Sequence, residues 1–254
     1  MNSTGPQTEV AEAGGRRLIA PWWHTALMAA IIIGLSFTGA RHLQRVGSGA
    51  LNMTPQYLAT IAYEWALAGL AWWGIRMRGV PRAELVGERR PGLQGWLSDA
   101  GAALIFWVIA LLVLALLGQA LAHGFKLDPQ KISDVTEKLA PTTGMQMVLF
   151  LILCISAGIC EEFVFRGYLQ QQFTRIGKGV SVGIVVSALL FGCAHGYEGF
   201  AGMLLITAYG AMFSVLALRR RGLRTGMIAH AWHDCVSGAA LVLLRHHALY
   251  LGAK

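Results

Sequence analysis

Cys160-Glu161-Glu162-Phe163-Val164-Phe165-Arg166-Gly167 places two adjacent carboxylates and a guanidinium within, or at the end of, an apolar run that begins near Gly144. Ionisable groups inside a membrane segment cost on the order of 2.5–3.5 kcal/mol each by insertion scales, unless they are paired or line a wet cavity. Such groups mark a candidate functional site. Glu162 and Arg166 are four residues apart, so they share a helix face and can pair. Glu161 lies about 100° further round the helix, where the arginine reaches less easily. One glutamate is thereby tied down and the other is left for chemistry.

The surrounding composition sets the class. The 254 residues are 55% hydrophobic and 13% charged, with a mean hydropathy of +0.53. Soluble domains carry about 25% charged residues, so this is the composition of a membrane protein. The net charge of +8 comes from Lys and Arg in short loops between apolar runs. That is a positive-inside bias, aided by anionic lipid, and not a nucleic-acid footprint. Cys154, Cys160, Cys193 and Cys235 all fall inside apolar segments and read as small packing residues, not a disulfide framework.

The expected fold is an all-α, polytopic transmembrane helical bundle of about seven spans, with eight also compatible. Residues 1–20 read as a polar tail, 21–143 as N-terminal spans and loops, 144–245 as a catalytic core and 246–254 as a short C-terminal tail. The seven spans are placed at Trp22–Gly39, Tyr57–Ile75, Leu97–Ala122, Gly144–Phe165, Val180–Ala194, Met203–Leu218 and Thr225–Leu244. The first is an uncleaved anchor and not a signal peptide. Arg41–Pro55 and the basic stretch Arg76–Gln94 read as loops, with a short helix near Ser133–Leu139 and a turn at Gly177-Lys178-Gly179. Fourteen Lys and Arg fall on the N-terminal side and seven on the other. This puts the N-terminus in the cytosol and the C-terminus outside.

Three helix-spaced motifs stand in the late spans: Glu161-Glu162 with Arg166, Phe191 with His195, and His230 with Asp234. Glu161 precedes Gly177 by 16 residues and His195 follows it by 18, so a hairpin turning there brings the two to similar height. His230 lies eight residues past Gly222, or ~12 Å along a helix. The three sites can meet in the inner half of the membrane. Ala157, Gly158 and Cys154 on the Glu161 side allow another helix to approach closely. A carboxylate in an apolar site can act as a general base. A neutral histidine can orient the same water or bind a metal. Glu161, His195 and His230 with an open position are also a ligand set that suits zinc, if a metal is used. With no serine or cysteine paired to these histidines as a nucleophile, the reaction class is water-mediated hydrolysis of a peptide bond.

Glu161-Glu162-x-x-x-Arg166, Phe191-x-x-x-His195 and His230-x-x-x-Asp234, in this order, resemble the motifs of the CAAX-protease and bacteriocin-processing (CPBP, or Abi) intramembrane proteases over about residues 144–238. The resemblance implies a type II CAAX-processing endopeptidase whose cavity opens toward the cytosol. It implies that Glu161 activates water with help from His195, and that His230 and Asp234 stabilise the oxyanion. Glu162 and Arg166 shape the site. Relatives often carry Asn at the last motif position; Asp234 can donate there only when protonated, or it can orient His230 or a metal. The expected substrate is a membrane-associated peptide or protein, prenylated or leader-type, met in the lipid bilayer of a bacterial inner membrane. Two other readings are a non-catalytic bacteriocin-immunity or regulatory protein of the same fold and a proton-coupled transporter. Against the transporter, the chain has no repeated pair of broken helices.

Other residues carry blander expectations. Glu64 reads as a hydrogen-bonded packing acid, His233 as a packing residue facing another helix, and Phe191 as a cavity wall. Trp22, Trp23, Trp96 and Trp107 read as belt or lipid-facing residues, and His246-His247 as interfacial. Tyr197 and Glu198 line either the site or its loop.

Overall fold

The chain is described by a computed structural model over residues 17–45, 52–87, 92–125 and 140–252. The described residues form α-helices, one π-helical segment and one 3₁₀ turn, with no strand among them. In chain order the helices are α1 (Trp22–Arg45), α2 (Thr54–Arg76), α3 (Arg82–Val86), α4 (Gly92–Phe125) and α5 (Gly144–Glu161). Then come the π-helical segment Glu162–Leu169, α6 (Gln170–Ile176), α7 (Val180–Ala194), the 3₁₀ turn Gly196–Glu198, α8 (Gly199–Arg220) and α9 (Arg224–Gly252). Among the described residues four stretches are long and apolar enough to cross a membrane: Trp22–Gly39, Gly92–Phe125, Gly144–Ile176 and Gly196–Arg220. The chain is an integral membrane protein built as a helical bundle. Each of the seven expected spans lies on a helix, and α7, with 15 residues, is the short one.

Several boundaries differ from the sequence reading because helical hydrogen bonding outlasts the apolar run. α1 continues through Arg45, α4 begins at Gly92, α8 at Gly199, and α9 runs on to Gly252. The basic loop contains α3. The expected helix near Ser133–Leu139 lies outside the described residues.

The end of the polar tail is not loose. Ile19 and Ala20 are fully buried, and their backbone N–H groups donate to Gln172 Oε1 at 2.9 and 3.2 Å. Gln172 Nε2 donates to Ala20 O and Thr25 Oγ1. Burying an amide side chain is tolerated only when its hydrogen bonds are made, and this one fastens the chain's entry to the α5–α6 column. His24 does the same for α1. It sits between Tyr168 Oη at 2.8 Å and Leu70 O at 3.0 Å. Gly74 leaves room for its ring, since a Cβ there would lie 2.4 Å from it. Together Ile19, Ile75, Leu85, Val164, Tyr168 and Leu169 belong to one buried apolar cluster.

The basic loops gather at one end of the bundle. Arg175 pairs with Glu84 and donates to Arg17 O. Arg220 and Arg224 both pair with Asp99 at the start of α4. An isolated bridge joins Gly87 to Gly222. Gly87 has φ 84°, and a Cβ there would lie 2.1 Å from Arg221 O, so only glycine fits.

Candidate active site

α5 is started by Thr143, whose side chain accepts from Gln146 N. It ends at Glu161, where the helix loosens into the π-helical segment. π-type hydrogen bonding is rare and concentrates at functional sites. The Phe165 carbonyl, which accepts from Gln170 N at the end of the segment, also accepts from Ser187 Oγ at 2.7 Å, which ties α7 to the same turn. α9 approaches at Gly158, where a Cβ would lie 2.7 Å from Met227 O and 2.9 Å from Ala231 N. This is the close approach expected of the small residues before Glu161. It carries His230 to the glutamates.

The buried centre is the Glu162–Arg166 pair, 2.8 Å apart, with side chains 0% and 1% exposed. Arg166 also donates to Gly210 O at 3.1 Å. Its guanidinium lies between the rings of Phe191 and Phe213, 4.4 and 5.0 Å from their centres. Glu162 Oε1 also meets His230 Nδ1 at 3.1 Å. A carboxylate held by arginine accepts hydrogen bonds, so Nδ1 carries the proton. His230 then presents Nε2 to Glu161 Oε2 at 3.6 Å and to Asp234 Oδ2 at 3.7 Å. His195 has the same polarity: Nδ1–H donates to Phe191 O at 2.9 Å, which leaves its Nε2 as the available nitrogen.

Glu161 and His195 line one cavity of about 590 Å³ between α1, α2, α5 and α7. The structure thus brings Glu161, Glu162, Arg166, His230 and Asp234 into a single contact chain. It places His195 across the cavity wall, joined to that chain through the Phe191 ring, which is 4.9 Å from His195 and 6.0 Å from His230. Phe191 is a buried spacer and not a cavity wall.

α2 contributes residues that the motif reading left out. Gln56, Thr60, Tyr63 and Glu64 line the same cavity. Glu64 was expected to be a hydrogen-bonded packing acid. It is instead 5% exposed, and its Oε2 has no hydrogen-bond partner, a state shared with Glu161 Oε2 and Gln56 Oε1. The signal was present as a polar residue on every helical turn, Gln56-x-x-x-Thr60-x-x-x-Glu64, in an otherwise apolar helix. Trp65 Nε1 donates to Ser156 Oγ at 3.1 Å and fixes this face of α2 against α5. Tyr197 also lines the cavity. His233 packs as expected, 5.0 Å from the Tyr209 ring. Trp107, expected at the lipid face, donates to His233 Nδ1 at 3.2 Å and so serves the α4–α9 contact.

Glu161 and His230 are close enough to act together, but His195 does not join them. Among the described residues no three His, Cys, Asp or Glu side chains gather in a metal-holding group. Glu161, His195 and His230 therefore do not form a three-ligand site. The cavity's position also departs from expectation. It is walled by the half of α1 that follows Ile32 and the half of α2 that precedes Leu67, away from the basic loops. Cytosolic basic loops and a cavity opening to the cytosol do not fit this geometry together.

No curated protein and no solved structure matches the chain. Residues 143–236 match the family model described as type II CAAX prenyl endopeptidase Rce1-like, a stretch that holds all six motif residues.

Proposed function

We propose that the protein is a membrane-embedded endopeptidase that hydrolyses a peptide bond in a membrane-associated or lipidated peptide with a glutamate-activated water. The observation that carries this reading is the orientation of His230. With Nδ1 committed to Glu162, its Nε2 is turned to the otherwise unpartnered oxygen of Glu161 and to Asp234.

Glu161 Oε2 takes a proton from water while the oxygen attacks the scissile carbonyl carbon. His195 Nε2 holds that water from the opposite wall. The negative charge that develops on the carbonyl oxygen is met by Nε2–H of His230 in its doubly protonated form and by Asp234 in its acid form. The proton then passes from Glu161 to the leaving nitrogen as the C–N bond breaks. General base and acid steps of this kind contribute about 10²–10⁴ in rate, and one oxyanion donor about 10²–10³ in kcat. Glu162 and Arg166 do not touch substrate. They hold the His230 ring and supply a fixed charge in a water-poor surrounding. The protein is assigned to the bacterial inner membrane with its N-terminus and basic loops in the cytosol.

The test is a mass-spectrometric cleavage screen of the purified protein in detergent against prenylated, leader-type and transmembrane peptides, with Glu161→Gln alongside. A cut made by wild type and absent from Glu161→Gln supports the reading and names the substrate class. The same cut by both proteins overturns it.

A further inference from the structure

The heights of the site residues follow from helix rise. His24 is level with Tyr168 and Leu70 through its two hydrogen bonds. Ser36, twelve residues on, is level with Cys193 and Gly196, ~18 Å further along α1. Glu161 and Glu64 precede Tyr168 and Leu70 by seven and six residues, so both stand ~10 Å above the His24 level. Gln56 stands ~21 Å above it. Arg17, Arg76, Arg175 and Arg220 lie at or beyond the other end, while Arg41, packed on the Phe37 ring, stands on the cavity side. Arg175 and Arg17 are in direct contact.

On the basic side of the glutamates the bundle is filled. Val164, Phe165, Tyr168, Leu169, Ala71 and Ile75 are each 2% exposed or less and belong to one cluster. On the other side lies the cavity. Its rim residues Leu35, Thr38, Gly39, Ala59 and Thr60 are exposed. The walls between rim and floor carry Gln56 Oε1 and Glu64 Oε2, both buried and without hydrogen-bond partners, and lead to Glu161 Oε2, which faces His230 Nε2 at 3.6 Å. Unsatisfied buried acceptors cost about 1–3 kcal/mol each. Gln56 Oε1 and Glu64 Oε2, spaced along an apolar cleft, are met together by a ligand with regularly spaced N–H donors, which is an extended peptide backbone.

We propose that the site takes its peptide from the membrane face opposite the basic loops, with an apolar, extended segment running along α2 from Gln56 to Glu64 and its scissile bond at Glu161. The ~10 Å between the Glu161 and Gln56 levels accommodates about three residues of extended chain at 3.3 Å each. With the basic loops in the cytosol, the substrate is a translocated or membrane-spanning chain that enters from the outer face, and not a cytosolic tail. The assignment of a peptide rests on the endopeptidase reading; the assignment of the face does not.

The experiment is labelling of Thr38→Cys, Thr60→Cys and Lys178→Cys by a sulfonated, membrane-impermeant maleimide. Intact spheroplasts are compared with permeabilised ones, and labelling of the wild-type cysteines is subtracted. The expected result is equal labelling of Thr38→Cys and Thr60→Cys before and after permeabilisation, with Lys178→Cys labelled only after it. Labelling of Thr60→Cys only after permeabilisation, or in neither state, overturns the proposal. So does labelling of Lys178→Cys in intact spheroplasts. On peptides that wild type cuts, a bulky maleimide on Thr60→Cys is expected to abolish cleavage and one on Lys178→Cys to leave it intact; cleavage that survives the Thr60 label overturns the peptide path. Because labelling needs no turnover, a wild type that cuts nothing refutes the endopeptidase reading while the face is still decided.

Discussion

Arg166→Met is the most informative single perturbation of this site. Methionine fills the space of the arginine stem between Phe191 and Phe213 but removes both charged contacts, to Glu162 at 2.8 Å and to Gly210 O at 3.1 Å. Glu162, fully buried, is then left with His230 alone. Breaking a buried ion pair from one side costs about 3–5 kcal/mol, because the remaining charge stays in the low-dielectric interior. At about 2–4 °C per kcal/mol for a chain of this size, the unfolding midpoint drops by about 6–20 °C. The double variant Arg166→Met/Glu162→Gln removes the stranded charge while its amide oxygen still accepts from His230 Nδ1. It is therefore less destabilised than the sum of the single changes, with a coupling of about 0.5–3 kcal/mol. Thermal unfolding of the four proteins in one detergent measures the cycle. A single variant that unfolds with wild type, or a double variant that loses the full sum, refutes the paired-charge account.

Other substitutions test neighbouring parts. Gly158→Ala sets a Cβ against Met227 O and Ala231 N, which are backbone atoms that cannot rotate away; a loss of about 1–3 kcal/mol and a fall in turnover are expected, read by unfolding and cleavage together. Glu64→Leu removes an unsatisfied buried acceptor and is expected to stabilise the fold by about 1–3 kcal/mol while raising KM for the peptide; unchanged KM refutes its place in the cleft. Asp234→Ala is expected to cost about 10²–10³ in kcat as a lost oxyanion donor. Asp234→Asn, whose amide still donates, is expected to stay within about tenfold of wild type; equal losses in the two variants assign Asp234 to another role.

Much of this was legible before the fold. Glu161, Glu162 and Arg166 declared themselves because charge is costly in an apolar run, and the i,i+4 spacing named the pair. What the sequence did not carry is which nitrogen of His230 faces which carboxylate. That follows from the approach of α9 at Gly158, a tertiary contact. Glu64 was misjudged for a related reason. A lone acid on an apolar helix normally finds a hydrogen bond, and only the shared cavity shows that its oxygen faces Glu161's wall. The buried Ile19 and Ala20 were hidden in a polar tail because their partner, Gln172, is more than 150 residues away. The depth argument set Glu161 and His195 at similar height and let His230 meet them. It did not tell which side of that level is open, because the plug is made of side chains drawn from α1, α2 and the π-helical segment.

The central claim is that Glu161 activates the attacking water. The measurement that tests it most directly is kcat for wild type and Glu161→Gln on one peptide, with the unfolding midpoint of each protein taken in the same detergent. The account predicts a loss of about 10²-fold or more at an unchanged midpoint. Turnover retained within about tenfold in a folded Glu161→Gln protein contradicts it.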